Sequence, residues 1–122
     1  MKQLICVLFV VVTAVTANSQ TIEKDKQLHY AAGMLSGAVG YNFVYDKTKD
    51  KNKALVAGVI TSILAGVAKE TYDSTRPGNK FDTKDLAATT LGGITISVSI
   101  KLFKNVKNNK KVRKRHLELL VE

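Results

Sequence analysis

The sequence predicts an all-α fold of three packed apolar helices after a signal peptide, and it favours insertion of these helices in a membrane. Three long apolar segments, 29–45, 54–68 and 86–103, contain a single charged residue, Lys101. Small residues recur within them at every fourth position, the spacing at which membrane helices approach closely. The chain has 122 residues, so the part that follows the leader is expected to form one small domain, 20–103, with a basic tail.

The apolar leader has the form of a secretory signal peptide, which we assign to residues 1–19. Lys2 is its charged start, the apolar run 4–17 follows, and small residues precede a cleavage site after Ser19. The run is shorter than the ~20 residues that a membrane span needs, so cleavage is predicted. The only cysteine, Cys6, lies inside the leader. The mature protein is therefore predicted to have no disulfide and no lipid-modified cysteine.

The first apolar segment, 29–45, is predicted to be a helix that packs closely against its neighbours. It contains no Lys, Arg, Asp or Glu, and Gly33, Gly37 and Gly40 lie near one helical face. Each glycine costs a helix in water about 1 kcal/mol relative to alanine. Three of them in one helix therefore favour a membrane, where close backbone packing compensates.

The other two apolar segments repeat this pattern. Residues 54–68 are apolar on every helical face, which is typical of a helix buried in protein or lipid. Within 86–103 the alternation ITISVSI also suits a strand, but the length of the segment and the capping residues before it favour a helix. The basic tail, 104–122, either continues this helix or forms a short amphipathic one.

The charge distribution predicts an orientation for three spans with an exported amino terminus. The connection 46–53 and the basic tail then lie on the cytoplasmic side, while 21–29 and 69–85 lie outside. With Lys101 counted together with the tail, twelve Lys and Arg residues fall inside and six outside, in agreement with the positive-inside rule. We expect a protein of the cell envelope with its polar site facing the periplasm. A soluble three-helix domain is the alternative.

A polar stretch, 69–86 (KETYDSTRPGNKFDTKDL), separates the second and third apolar segments. Its four acidic residues form two i, i+3 pairs, each at the end of an apolar segment. The predicted topology brings the residues before the first helix to the same outer face. We therefore predict a ligand-binding site on the periplasmic face, formed by Asp25, His29, Glu70, Asp73, Arg76 and Asp85.

More than one chemistry is open to these residues. Asp25 and His29 are one helical turn apart and could bind a metal or exchange a proton. Alternatively, Asp25 caps the first helix and His29 faces the interface. Glu70, Asp73 and Asp85 suit an oxygen-coordinated divalent ion, and His29 would shift the preference toward Zn²⁺ or Mn²⁺. The alternative is an ion-pair network with Lys26, Lys69 and Arg76.

Sequence motifs narrow these possibilities only a little. HExxH, EF-hand, GxSxG and Gly-rich phosphate-binding patterns do not occur, so no cofactor is predicted, and metal binding and catalytic residues stay open. Asp82-x-x-Asp85 before an apolar run is a capping pattern. Arg76-Pro77-Gly78 indicates a turn, in which Arg76 either holds a lipid phosphate or is solvated.

The polar motifs also carry a family resemblance. In Asp25-Lys26-x-x-His29, Lys69-Glu70-x-x-Asp73, Phe81-Asp82-x-x-Asp85-Leu86 and Gly92, the chain resembles the YfiM-like family of bacterial periplasmic lipoproteins and, more distantly, the VanZ-like membrane proteins. The resemblance implies an envelope protein, and the VanZ-like members are associated with glycopeptide resistance and envelope lipids. The chain lacks a cysteine at the cleavage site, so we expect anchoring through the helices. It also departs from the VanZ-like acidic pattern, and we infer no resistance function.

We therefore expect a non-enzymatic envelope protein that binds a lipid headgroup or a membrane partner through its carboxylates and His29, with Arg76 on a phosphate. One alternative is an enzyme in which His29 and Glu70 perform acid/base or metal-assisted chemistry on a lipid-linked substrate. Another is a purely structural envelope subunit. Nucleic acid is not an expected partner, because the leader predicts export and the basic tail, which suits an anionic lipid surface, lacks interleaved aromatic residues.

Overall fold

The structure, a computed structural model, describes residues 23–121 and contains three helices in this range. They are α1 (Lys24–Thr48), α2 (Lys51–Ser74) and α3 (Thr83–Val121). No strand occurs within residues 23–121, so the predicted all-α, three-helix fold is confirmed, and the ITISVSI segment is helical. The predicted signal peptide, 1–19, lies outside the described residues.

A tight connection joins α1 to α2 and turns the chain back on itself. Lys49 ends α1 with φ of 55°, and its N–H donates to the carbonyl of Tyr45. Asp50 starts α2, where its carboxylate accepts the N–H groups of Asn52 and Lys53. These two bonds, led by the one from Lys53, hold the pKa of Asp50 below its ordinary value, because they stabilise the charged form.

The connection between α2 and α3 is longer and contains the turn predicted at Arg76-Pro77-Gly78. Gly78 has φ of 83°, a region that favours glycine. The carboxylate of Asp82 accepts the N–H of Lys84 at 2.7 Å, which confirms the capping role predicted for Asp82. This bond to Lys84 is the largest contribution that lowers the pKa of Asp82.

Helices α1 and α3 approach closely at their glycines. A Cβ atom at Gly33 would overlap the backbone carbonyl of Thr89, and one at Gly92 would overlap the carbonyl of Tyr30. Further along, a Cβ at Gly37 would lie 2.8 Å from the Cα of Gly93. The small residues predicted to mediate packing therefore do so backbone to backbone. This contact also fixes the amino-terminal turns of α1 beside those of α3.

The interior of the bundle is small and polar, while its outer surface is apolar. Among residues 23–121, the buried hydrophobic side chains are only Tyr41, Ala54 and Ile96. The exposed large hydrophobic side chains lie along all three helices and include Leu35, Val39, Phe43, Val56, Ile60, Leu64, Leu91 and Leu102. Three helices that enclose glycine, serine and threonine leave their larger apolar side chains to the surroundings.

Within residues 23–121, α2 and α3 are long and apolar enough to cross a membrane, by length and composition alone. The first helix, α1, does not meet the same criterion. Two of the three predicted membrane spans therefore have the expected length and apolarity. The basic tail continues α3, which is one of the two alternatives predicted for it. With 39 residues, α3 is about 58 Å long, and all side chains from 106 to 121 are exposed.

Candidate functional site

One end of the bundle, where α1 begins, α2 ends and α3 begins, collects buried charged residues. We call Asp25, His29, Glu70 and Asp85 the His29 cluster. Glu70 and Asp85 are 2% and 7% exposed and His29 is 1% exposed, whereas the side chain of Asp25 is 64% exposed. The structure thus brings together four of the six residues predicted to bind a ligand. Their role in binding stays a prediction.

His29 lies in the helix interface, and its ring is held by α3. Its Nδ1 atom is 3.2 Å from Oγ1 of Thr89, and that hydroxyl donates its proton to the carbonyl of Asp85 at 3.0 Å. A hydroxyl has one proton to donate, so Oγ1 accepts the Nδ1–H of His29. The neutral ring therefore presents an Nε2 lone pair to the other side.

Three carboxylates and one ammonium group surround this Nε2 atom. It lies 3.4 Å from Oδ2 of Asp85, 3.6 Å from Oε1 of Glu70 and 3.9 Å from Oδ2 of Asp25. The Nζ atom of Lys69 is 3.0 Å away and donates to the lone pair. Three carboxylates that could hold a cation thus converge on one ring nitrogen, and the ammonium of Lys69 lies at the same point.

The two buried carboxylates each use one oxygen for a fixed contact and leave the other facing His29. Oε2 of Glu70 accepts the backbone N–H of Asp82 at 2.9 Å, and Oδ1 of Asp85 accepts from the ammonium of Lys26 at 3.3 Å. Oε1 of Glu70 is buried and has no hydrogen-bond partner. A buried charged oxygen without a partner costs stability, and in native proteins it is often found at a functional site.

Two lysines balance part of this negative charge. Lys26 bonds Glu23 at 2.9 Å and also Asp85. The contact with Glu23, followed by that with Asp85, raises the pKa of Lys26 to about 12 against the opposing effect of desolvation. The ammonium of Lys69 lies 2.7 Å from Asp73, at the outer edge of the cluster. The ion-pair alternative is therefore present for Lys26 and Lys69.

An open cleft of about 630 Å³ lies beside the cluster, between the end of α2 and the start of α3. Its lining carries both signs of charge. Its acidic residues are Asp25, Glu70, Asp73, Asp82 and Asp85, and its basic residues are Lys69, Lys80 and Lys84. A ligand in this cleft would meet carboxylates and ammonium groups within one space.

Arg76 does not belong to this arrangement. Its side chain stacks on the ring of Tyr72 at 4.9 Å and donates to the hydroxyl of the same residue at 3.1 Å. The cations that line the cleft are Lys69, Lys80 and Lys84. Of these, only Lys69 was predicted from the sequence, as an ion-pair partner. Lys26, which was predicted as an ion-pair partner, makes that contact with Asp85.

Asp25 also differs from one of its predicted roles. The residue that precedes α1 is Glu23, which makes no capping bond with its side chain, and Asp25 lies within the first turn. Asp25 therefore does not cap the helix. Its Oδ2 atom faces His29 from the exposed side of the cluster. His29 itself is buried.

Comparison with protein-family models, curated proteins and solved structures finds no match to the chain. The resemblance to YfiM-like and VanZ-like proteins therefore stays a prediction from the polar motifs.

Proposed function

We propose that this is a membrane-inserted protein of the bacterial cell envelope that binds the phosphate-bearing headgroup of a lipid in the cleft beside the His29 cluster. The observation that carries the proposal is the position of the cleft. It is lined by both acidic and basic residues, and it lies at one end of helices whose outer surfaces are apolar. A lipid has a charged headgroup, which suits the cleft, and apolar tails, which suit the helix surfaces.

Membrane insertion is supported by the distribution of side chains in the bundle. A soluble domain buries its large apolar residues, because their transfer from water is the main driving force of folding. Here the interior holds Ser62, Thr89 and Ser97, and most of the large apolar residues point outward. Lipid tails would cover that surface, and small residues are the ones that membrane helices use to pack.

Headgroup binding is supported by the charges of the cleft. Lys80 and Lys84 line it beside the loop and replace Arg76 as the groups expected to bind a phosphate. The carboxylates of Asp73 and Asp82, which also line the cleft, suit an ammonium group of the same headgroup. The predicted leader and the charge bias support a periplasmic location for this end of the bundle, and the resemblance to YfiM-like envelope proteins agrees with that location.

Membrane attachment is tested with protein expressed from its own leader and tagged at the carboxyl terminus. Isolated membranes are washed with carbonate, which removes peripheral proteins. We expect the protein to stay in the pellet. Release into the supernatant would overturn membrane insertion and leave a soluble three-helix domain.

Headgroup binding is tested with purified protein in detergent, by thermal stability and native mass spectrometry. A zwitterionic phospholipid, whose headgroup has a phosphate and an ammonium group and no net charge to attract the basic tail, should raise the melting temperature because it binds the folded state. Diacylglycerol, which lacks the phosphate, should not. The double variant Lys80→Gln/Lys84→Gln should lose this shift. The matched double variant Lys110→Gln/Lys111→Gln, on the exposed tail, should retain it. An equal shift with diacylglycerol, or its loss in the tail variant, would refute headgroup recognition by the cleft.

A further inference from the structure

We propose that the His29 cluster binds a divalent transition-metal ion of the zinc type, with Nε2 of His29 and one oxygen each of Asp25, Glu70 and Asp85 as ligands. The inference goes beyond lipid binding, since it rests on the contacts within the cluster alone. It assigns a role to Oε1 of Glu70, a buried oxygen that no hydrogen bond satisfies.

The spacing of the ligand atoms suits such an ion. Two ligands that each lie ~2.1 Å from a tetrahedral ion are about 3.4 Å from one another. The three carboxylate oxygens lie 3.4 to 3.9 Å from Nε2. The ligand atoms of Asp25, His29 and Asp85 all lie within 4.8 Å of one another. Small shifts would bring these three residues onto one ion, and Oε1 of Glu70, 3.6 Å from Nε2, is the fourth ligand.

The contacts behind the ligands follow the arrangement that metal sites use to orient their ligands. Nδ1–H of His29 is bound by Thr89, Oε2 of Glu70 by the N–H of Asp82, and Oδ1 of Asp85 by Lys26. Each of these ligands therefore has one atom fixed by the protein and the other aimed at the same point. Such outer contacts set the tautomer and the direction of the ligand atoms.

Charge also balances around a divalent ion. Asp25, Glu70 and Asp85 bring three negative charges, which the ion and the ammonium of Lys26 neutralise together. One imidazole with carboxylates is a ligand set that first-row transition metals accept, whereas an all-oxygen site would suit Ca²⁺ or Mg²⁺.

Lys69 is the group that competes with the metal. Its ammonium donates to Nε2 of His29, so it must leave that lone pair when the ion binds. Its side chain is 47% exposed and also bound to Asp73, which provides it with a second position. Removal of the Lys69 ammonium is therefore expected to strengthen metal binding, while a cluster that uses Lys69 as its permanent cation would only be weakened by the change.

The test uses full-length protein in detergent without added lipid, purified with a histidine-free tag and stripped with EDTA. Co²⁺ is the probe, because its visible absorption reports tetrahedral coordination, and Zn²⁺ is the competitor. We expect one Co²⁺ per chain, displaced by Zn²⁺, and a higher melting temperature with Zn²⁺. Absence of the Co²⁺ spectrum in the wild-type protein would overturn the proposal, whatever the result with lipids.

Three variants locate the site. Asp25→Asn changes an exposed ligand and should weaken Co²⁺ binding about tenfold or more, with circular dichroism showing the same helix content. Lys69→Gln should bind Co²⁺ more tightly than the wild type. Asp46→Asn, an exposed acid at the other end of α1, should bind like the wild type. Three results would each refute the assignment. They are equal Co²⁺ binding by the wild type and Asp25→Asn, weaker Co²⁺ binding by Lys69→Gln than by the wild type, and loss of Co²⁺ binding in Asp46→Asn.

Discussion

His29 and Thr89 are 60 residues apart in the sequence, yet Nδ1 of the histidine lies 3.2 Å from Oγ1 of the threonine in the buried interface of α1 and α3. This contact determines which ring nitrogen faces the three carboxylates. It is available because Gly33, one turn from His29, lets α1 lie against the backbone of Thr89. The chemistry of the cluster thus depends on the packing of two glycine-containing helices.

Replacement of Thr89 by valine should leave the Nδ1–H of His29 without an acceptor. A buried donor without a partner costs about 1–3 kcal/mol, and we expect a loss of stability of this size in denaturation of the detergent-solubilised protein. Thr95→Val is the control, because Thr95 is only half-buried and its hydroxyl donates to the carbonyl of Leu91 in its own helix. Equal effects of the two changes would contradict the role assigned to Thr89.

Glu70→Gln and Glu70→Ala should behave differently. The amide oxygen of glutamine can still accept the N–H of Asp82, which the carboxylate binds at 2.9 Å, and the new amide donates toward the acidic groups. Glutamine should therefore keep the metal-free protein about as stable as the wild type, whereas alanine should destabilise it by about 1–3 kcal/mol. The melting temperatures of the two variants after EDTA treatment measure these stabilities. A larger loss of stability for Glu70→Gln than for Glu70→Ala would contradict the role of the bond to Asp82.

Gly33→Ala should separate α1 from α3, because its Cβ would overlap the carbonyl of Thr89 and backbone atoms cannot move aside as a side chain can. We expect a loss of about 2 kcal/mol or more, at the upper end of overpacking effects. The control is Ala32→Leu, a larger change on the exposed face of the same helix. A stable, fully helical Gly33→Ala protein would show that the two helices are not held this closely.

Acid should weaken the start of α2 through Asp50. The folded state lowers the pKa of this carboxyl through its bonds to the N–H groups of Lys53 and Asn52. Its contribution is therefore present above the ordinary pKa and is lost as the pH falls through the lower folded value. Asp50→Asn keeps a capping side chain but does not titrate, so its melting temperature should fall less than that of the wild type between about pH 5 and pH 2. Parallel curves for the two proteins would contradict the assignment.

Several features of the fold are local in the sequence and could be predicted from it. The uncharged segments with small residues at every fourth position predict three helices and the faces on which they pack, and Gly33 and Gly92 lie in that contact. Asp82 before an apolar run predicts the start of α3, and Arg76-Pro77-Gly78 predicts the turn. These predictions succeed because periodicity and capping depend on residues within a few positions of one another.

The partners within the His29 cluster were decided by tertiary structure. His29 and Lys69, whose side chains are in contact, are 40 positions apart in the sequence. No sequence spacing predicts this contact. The same holds for Arg76, which the sequence offered as a phosphate ligand and which instead stacks on Tyr72. The sequence alone determined that polar residues gather at one end of three apolar helices, because side-chain periodicity and charge bias are properties of the chain. Only the packed bundle decided which oxygen faces which nitrogen, because that depends on how closely the glycines let the helices approach.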